Sequence, residues 1–203
     1  MTPFILASDS PRRKEILQKV GFPIEVHPSQ VNEDYNPSAS PENFVKHFAM
    51  LKANLVAPKF PDRIIVAADT IVVLDGMILG KPKGKSGAIE MLRKLSNKTH
   101  SVFTGVALVK KQLNATENFF ERTDVTFLPL SNDMIRYYVE TSQPFDKAGA
   151  YGIQDWSASF VKSINGCYYN VVGFPLSRFL SLLGSTSFQK KFQSDNWLGM
   201  VVE

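Results

Sequence analysis

One cysteine in 203 residues, Cys167, leaves no internal disulfide to staple the chain and fits a reducing compartment. No stretch approaches the roughly 18 consecutive apolar residues of a membrane span, and the first residues lack the charged start and long apolar core of a secretory signal. A strong imbalance of charge is missing too. The net excess of +4 admits an anionic partner but is too small to argue for a stable nucleic-acid complex. Internal repeats, linkers and low-complexity tracts are also missing. The expectation is a soluble cytoplasmic chain without a membrane partner; 44% hydrophobic residues over this length suit one domain with its own core.

What is there begins with Ala7-Ser8-Asp9-Ser10-Pro11-Arg12-Arg13-Lys14, between the apolar run Phe4-Ile5-Leu6 and a segment with Ile16, Leu17 and Val20 at helical spacing. This reads as a strand, a tight turn and a helix start: Ser10 suits the N-cap, Pro11 the first helical position and Gly21 the stop. Arg12, Arg13 and Lys14 then crowd the first turn, where the helix already presents positive partial charge. Two readings are open. The turn is a phosphate site, with Ser8 and Ser10 hydroxyls and forked guanidiniums around a helix N-terminus, or it is a solvated basic turn paired with nearby carboxylates.

Arg63 to Ala68 is nearly continuous apolar, as in a strand covered on both faces, and runs through Asp69-Thr70 into Ile71-Val72-Val73-Leu74. A carboxylate inside such a run is costly unless it is paired, metal-bound or open to a cleft, which makes Asp69 the leading catalytic candidate. Asp75-Gly76 has the sequence of a hairpin turn, returning through Met77-Ile78-Leu79 to Gly80-Lys81-Pro82. Gly80 to Ser86 mimics a P-loop but has three residues where four are needed between the glycines, and Pro82 removes a backbone donor, so that motif is rejected. Lys81 is open between a ligand-facing and a solvated turn lysine.

Elsewhere, Pro23 to His27 reads as a short strand, and Ser29 to Ala39 as a polar loop carrying Glu33. Ser40-Pro41 starts a helix with Phe44, Phe48, Leu51 and Leu55 as its apolar face, and Lys52 just off that face reads by itself as solvent-exposed. Ala88, Met91, Leu92 and Leu95 mark a third helix; His100 to Val109 and Phe119 to Leu128 mark long strands joined near Asn114; Ser131 starts a fourth helix. Phe145 to Gln154 is a small-residue loop suited to close approach by a ligand. Phe160 to Ile164 and Tyr168 to Val172 read as a hairpin about Asn165-Gly166, with Cys167 structural or nucleophilic, and Pro175 starts a last helix to Leu183. Beyond Gly184 the pattern fades, with Phe188, Phe192 and Trp197 in an appendix.

The order of these motifs resembles the Maf family of nucleoside triphosphate pyrophosphatases. The resemblance runs through Ala7-Ser8-x-Ser10-Pro11-Arg12-Arg13, Glu33, Lys52, Ala68-Asp69-Thr70, Leu79-Gly80-Lys81-Pro82, His100-x-Val102-x-Thr104-Gly105-Val106-Ala107 and Asn170 to Leu176. Asp146 to Gln154 is similar to the branch acting on dTTP and UTP rather than 7-methyl-GTP. The resemblance implies an α/β, Maf/Ham1-like fold of two lobes about a long curved mixed sheet, flanked by helices, with the active site in the cleft. It also implies a homodimer, and a domain over residues 1–184 with 185–203 as a C-terminal appendix. Asp69 falls on the family's proton acceptor, and Arg12, Thr70 and Gln154 on its positions for substrate choice. On this reading Ser8, Arg12, Arg13, Lys52 and Lys81 hold the triphosphate, and Glu33 with Asp69 holds Mg²⁺ or Mn²⁺. Asp69 accepts the proton of the water that cleaves the α–β anhydride, and Gln154 reads the O4 and N3–H edge of uracil or thymine. The competing expectations are a nucleotide-binding regulator of cell division and a pyrophosphatase for ITP or 7-methyl-GTP.

Overall fold

The computed structural model describes residues 2–31 and 40–194. Glu33 and Trp197 lie outside the described residues. In order, the elements are β1 (Phe4–Leu6), α1 (Pro11–Lys19), β2 (Ile24–Val26), α2 (Pro41–Val56), β3 (Ile65–Leu74), β4 (Met77–Leu79) and α3 (Gly84–Leu95). They continue with β5 (Thr99–Lys110), β6 (Ala115–Phe127), α4 (Asn132–Ser142), β7 (Val161–Asn165), α5 (Tyr168–Val172), α6 (Leu176–Leu183) and α7 (Thr186–Phe192). The strands make a mixed sheet in the order β2-β1-β3-β5-β6-β7, with β4 on β3. β1 runs parallel to β2 and β3, whereas β4 and β7 run antiparallel to β3 and β6.

The chain divides into two compact units, Met1–Asp69, Thr104–Glu121 and Gly173–Glu203 in the first, Thr70–Phe103 and Arg122–Val172 in the second. The boundaries fall inside β3, β5 and β6, so these three strands belong to both.

In the first unit α2 lies on the sheet through small side chains. Ala49 and Ala53 pack with Ile5, Ala7, Ile65, Ala67 and Ala107, all fully buried. The approach is closest at Gly105, where a Cβ would sit 2.3 Å from the Val45 carbonyl oxygen. Phe22 and Phe179 meet edge to face at 5.9 Å, and Phe4 and Phe174 pack on Phe179. The expected apolar face of α2 is corrected. Phe44 and Phe48 are buried, but Leu55 is 50% exposed, because Val45, Ala49, Ala53 and Val56 form the stripe that meets the sheet. The helix ending at Leu183 is not the last: α7 follows, its Phe188 and Phe192 buried and stacked at 4.3 Å. Lys110 Nζ donates to Phe192 O, and Lys191 pairs with Glu117.

In the second unit α3 and α4 place Ala88, Leu92, Leu95, Ile135, Tyr138 and Val139 against Val72, Leu74, Val102, Val125 and Phe127. Asp75 and Gly76, both with positive φ, make the tight turn from β3 into β4. The expected hairpin at Asn165-Gly166 is also corrected: its first arm is β7, but Tyr168 to Val172 is helix α5. The buried Thr123 hydroxyl accepts from Cys167 N (3.0 Å) and Asn170 Nδ2 (2.9 Å), and Asn170 Nδ2 also reaches Val102 O. These bonds turn the chain after Gly166 toward β5 and β6 and away from β7.

Two measurements check this packing. Gly105→Ala should lower stability by about 1–3 kcal/mol or more in urea unfolding, because backbone atoms of α2 occupy the space its methyl needs. His100, buried with Nε2 2.8 Å from the Tyr151 hydroxyl, has its pKa pushed down by burial to about 4. Between pH 6.5 and 4 the unfolded chain therefore binds a proton that the folded chain refuses. Stability should fall as pH is lowered through that window, by up to about 1.4 kcal/mol per unit from this residue, and the slope should shrink in His100→Gln.

Candidate active site

β1 ends at Leu6, Ala7 N still donates to Val66 O, and the chain leaves the sheet at Ser8, beside the stretch of β3 that leads to Asp69. Ser8 is buried, and its hydroxyl oxygen accepts from Ser10 N (3.2 Å) and Arg13 Nη1 (2.9 Å). A hydroxyl has two lone pairs and one proton. With both lone pairs engaged, Ser8 offers a ligand only its O–H, which suits a phosphate oxygen. Ser10 sits at the N-cap position of α1 but its side chain caps nothing, and the helix has no acidic residue in its first turn. Arg12 and Arg13, both half-buried, thus stand where the helix dipole already contributes positive charge. Arg13 also donates through Nε to Gly173 O at 3.0 Å, which fixes the turn to the segment before α6.

Along β3, Ile65, Ala67 and Asp69 alternate onto the face covered by α2. Lys52 belongs to the buried stripe of α2, and its Nζ meets Asp69 Oδ1 at 2.6 Å. Both residues are buried, Lys52 to 8% exposure and Asp69 to 4%, so the exposed reading of Lys52 is corrected. The physical reason is the slimness of Ala49 and Ala53 beside it, which lets the helix come close enough for the lysine to lie along the sheet. A buried ion pair gains little over an apolar pair of equal size. Stability alone therefore does not account for its presence, which makes the pair a candidate functional site.

In the second unit Thr70 continues β3, and Lys81, exposed, follows β4. The turn bearing Lys81 is tied to the loop leading to Gln154: Gly149 N donates to Gly80 O at 3.1 Å. Gly149 has φ +69°, where a side chain is strained, and a Cβ there would stand 3.0 Å from Val72 Cγ2, so the position favours glycine. Gln154 is exposed in a turn closed by Asp155 N donating to Gly152 O. The structure brings Ser8 to Arg13 and Lys52 to Asp69 in one unit, and links the Lys81 turn to the Gln154 loop in the other. The sequence reading missed Gly149, Gly173 and Gly105 as positioning residues; a lone glycine inside an apolar run, as at 105, was the available signal.

Among the described residues no group of three or more His, Cys, Asp or Glu is placed to share a metal ion. Asp69 Oδ1 is taken by Lys52, while Oδ2 has no hydrogen-bond partner among the described residues yet is not fully enclosed. One hard oxygen of this kind fits a small divalent ion that draws its other ligands from water and phosphate.

The family model described as Maf-like protein matches residues 3–186. A protein of Bacillus cytotoxicus named dTTP/UTP pyrophosphatase is 49% identical over 89% of this chain and 93% of its own length. One of the same name from Symbiobacterium thermophilum is 48% identical over 90% and 93%. Among solved structures, a HAM1 protein from Coxiella burnetii superposes with a TM-score of 0.44 at 16% identity, over 63% of this chain and 73% of that one.

The buried pair yields a stability test. Lys52→Met alone strands the Asp69 charge and should cost about 3–5 kcal/mol, whereas Lys52→Met with Asp69→Asn should recover much of it. Urea unfolding of the two singles and the double measures the coupling.

Proposed function

Since the chain belongs to the Maf-like protein family, we propose that it is a nucleoside triphosphate pyrophosphatase that converts dTTP and UTP to the monophosphate and pyrophosphate, clearing the nucleotide pool. The observation that carries this reading is the buried Asp69 carboxylate paired with Lys52. A site that only held an anion would gain nothing from a carboxylate among its cations, whereas hydrolysis needs a proton acceptor. The relatives named dTTP/UTP pyrophosphatase, similar over nine-tenths of the chain, support the choice of substrate.

In this mechanism Arg12, Arg13, Lys52 and Lys81 neutralise the triphosphate, and the Ser8 O–H donates to a phosphate oxygen. Asp69 takes a proton from water as the water oxygen bonds to the α-phosphorus. The bond from that phosphorus to the bridging oxygen breaks, and pyrophosphate leaves with the oxygen. Lys52 holds the carboxylate in place and compensates its charge during the approach of the polyanion. Asp69, together with Glu33 outside the described residues, would hold Mg²⁺ or Mn²⁺; when bound, the ion supplies further neutralisation of phosphate charge. Thr70 and Gln154 choose the base, Gln154 by donating to O4 and accepting from N3–H. The catalytic domain spans residues 1–184 with 185–203 as its appendix. A homodimer is implied by the resemblance and a cytoplasmic location by the single free cysteine.

A panel of triphosphates with product identification tests the reading. UTP and dTTP should give monophosphate and pyrophosphate; diphosphate plus phosphate, or no turnover of any nucleotide, would refute it. Asp69→Asn should stay folded and lose at least about a hundredfold in turnover, and near-normal activity would remove Asp69 from the chemistry.

A further inference from the structure

Uracil and hypoxanthine show the same hydrogen-bonding edge. O4 and N3–H of the pyrimidine correspond to O6 and N1–H of the purine, and the two edges differ in their distance from the sugar. An amide at Gln154 therefore separates UTP from ITP only if its reach is fixed. Its side chain makes no hydrogen bond among the described residues and is exposed, so its position is set by its backbone neighbours.

The next residue is held on every side. Asp155 Oδ1 accepts from Ser157 N (2.9 Å) and Ser157 Oγ (2.8 Å), and Oδ2 accepts from the Tyr138 hydroxyl (3.2 Å) with Lys147 Nζ at 3.8 Å. The Ser157 hydroxyl, wholly buried, accepts from Gly152 N (3.1 Å) and shares its proton with Gly152 O (2.8 Å). Both ends of the Gly152 to Asp155 turn are thus tied to one buried hydroxyl. The space is filled as well: a Cβ on Gly152 would come within 2.9 Å of Asp155 Oδ2 and 2.8 Å of Lys147 Cε. An exposed glutamine carried on a turn clamped by buried groups is the arrangement of a gauge.

We propose that Asp155 is a positioning residue for base selection. Its clamp on Tyr138 and Ser157 fixes the reach of Gln154, so that a pyrimidine is accepted and a purine with the same edge is rejected. This rests on Gln154 reading the base, as proposed above. The test compares kcat/KM for UTP and ITP in wild type, Asp155→Ala, Gln154→Ala and the double variant. Asp155→Ala should lower the UTP to ITP ratio about tenfold, mainly through KM. The double variant should show little more loss of selectivity than Gln154→Ala alone. An unchanged ratio in Asp155→Ala, with a lowered ratio in Gln154→Ala, overturns the clamp. An unchanged ratio in Gln154→Ala overturns the base reading itself. Should Asp155→Ala fail to fold, Tyr138→Phe removes one clamp bond and keeps the ring. A smaller fall in the same ratio then supports the proposal, and an equal loss on both nucleotides refutes it.

Discussion

Helix α2 rests on strand β5 with backbone against side-chain-free backbone at Gly105, and the buried Lys52–Asp69 contact of the first unit depends on that closeness. Alanines at 49, 53, 67 and 107 keep the layer thin over its whole length. A helix one methyl further away would bury the same faces but would leave the Lys52 ammonium short of Asp69. Interiors are packed too densely to absorb such a gap by local adjustment. The buried Lys52–Asp69 pair is therefore a property of the layer spacing as much as of the two residues that form it.

The polar groups around the first turn follow a second logic. Ser8 has both lone pairs occupied, Arg13 spends two donors on Ser8 and Gly173, and Asp69 gives one oxygen to Lys52. Each bond removes a rotational freedom and narrows the chemical sense, donor or acceptor, in which the group can meet a further partner. Under the proposed mechanism, such preorganisation lowers the ordering cost of binding and aims the groups at charge that develops during reaction.

Much of this was legible in the residues themselves, for physical reasons that differ from place to place. Strand β3 announced itself because it is covered on both faces, and Asp69 stood out because a carboxylate there must be compensated. Ser40 and Ser131 marked helix starts and do cap Asn43 N and Met134 N. The partner of Asp69 was not legible, since helical periodicity ranks bulky residues and passes over alanines, so Leu55 was placed inside and Lys52 outside. The second arm of the expected hairpin became α5 because Thr123, distant in sequence, captures Cys167 and Asn170. Local propensity carries no information about such a partner. The clamp on the Gln154 turn was hidden likewise, its members being ordinary residues made significant by convergence.

The Arg13 bond to Gly173 joins residues 160 apart, and Phe4 packs on Phe179 across a still longer stretch of chain. A growing chain can therefore pair its first strand with β2 and β3 and cover it with α2 long before Gly173 and Phe179 arrive beside the basic turn. Contacts of such sequence separation form late and together. The basic turn should accordingly take its fixed arrangement only after the segment around Gly173 and Phe179 has been added, well after the sheet beside it has begun to form.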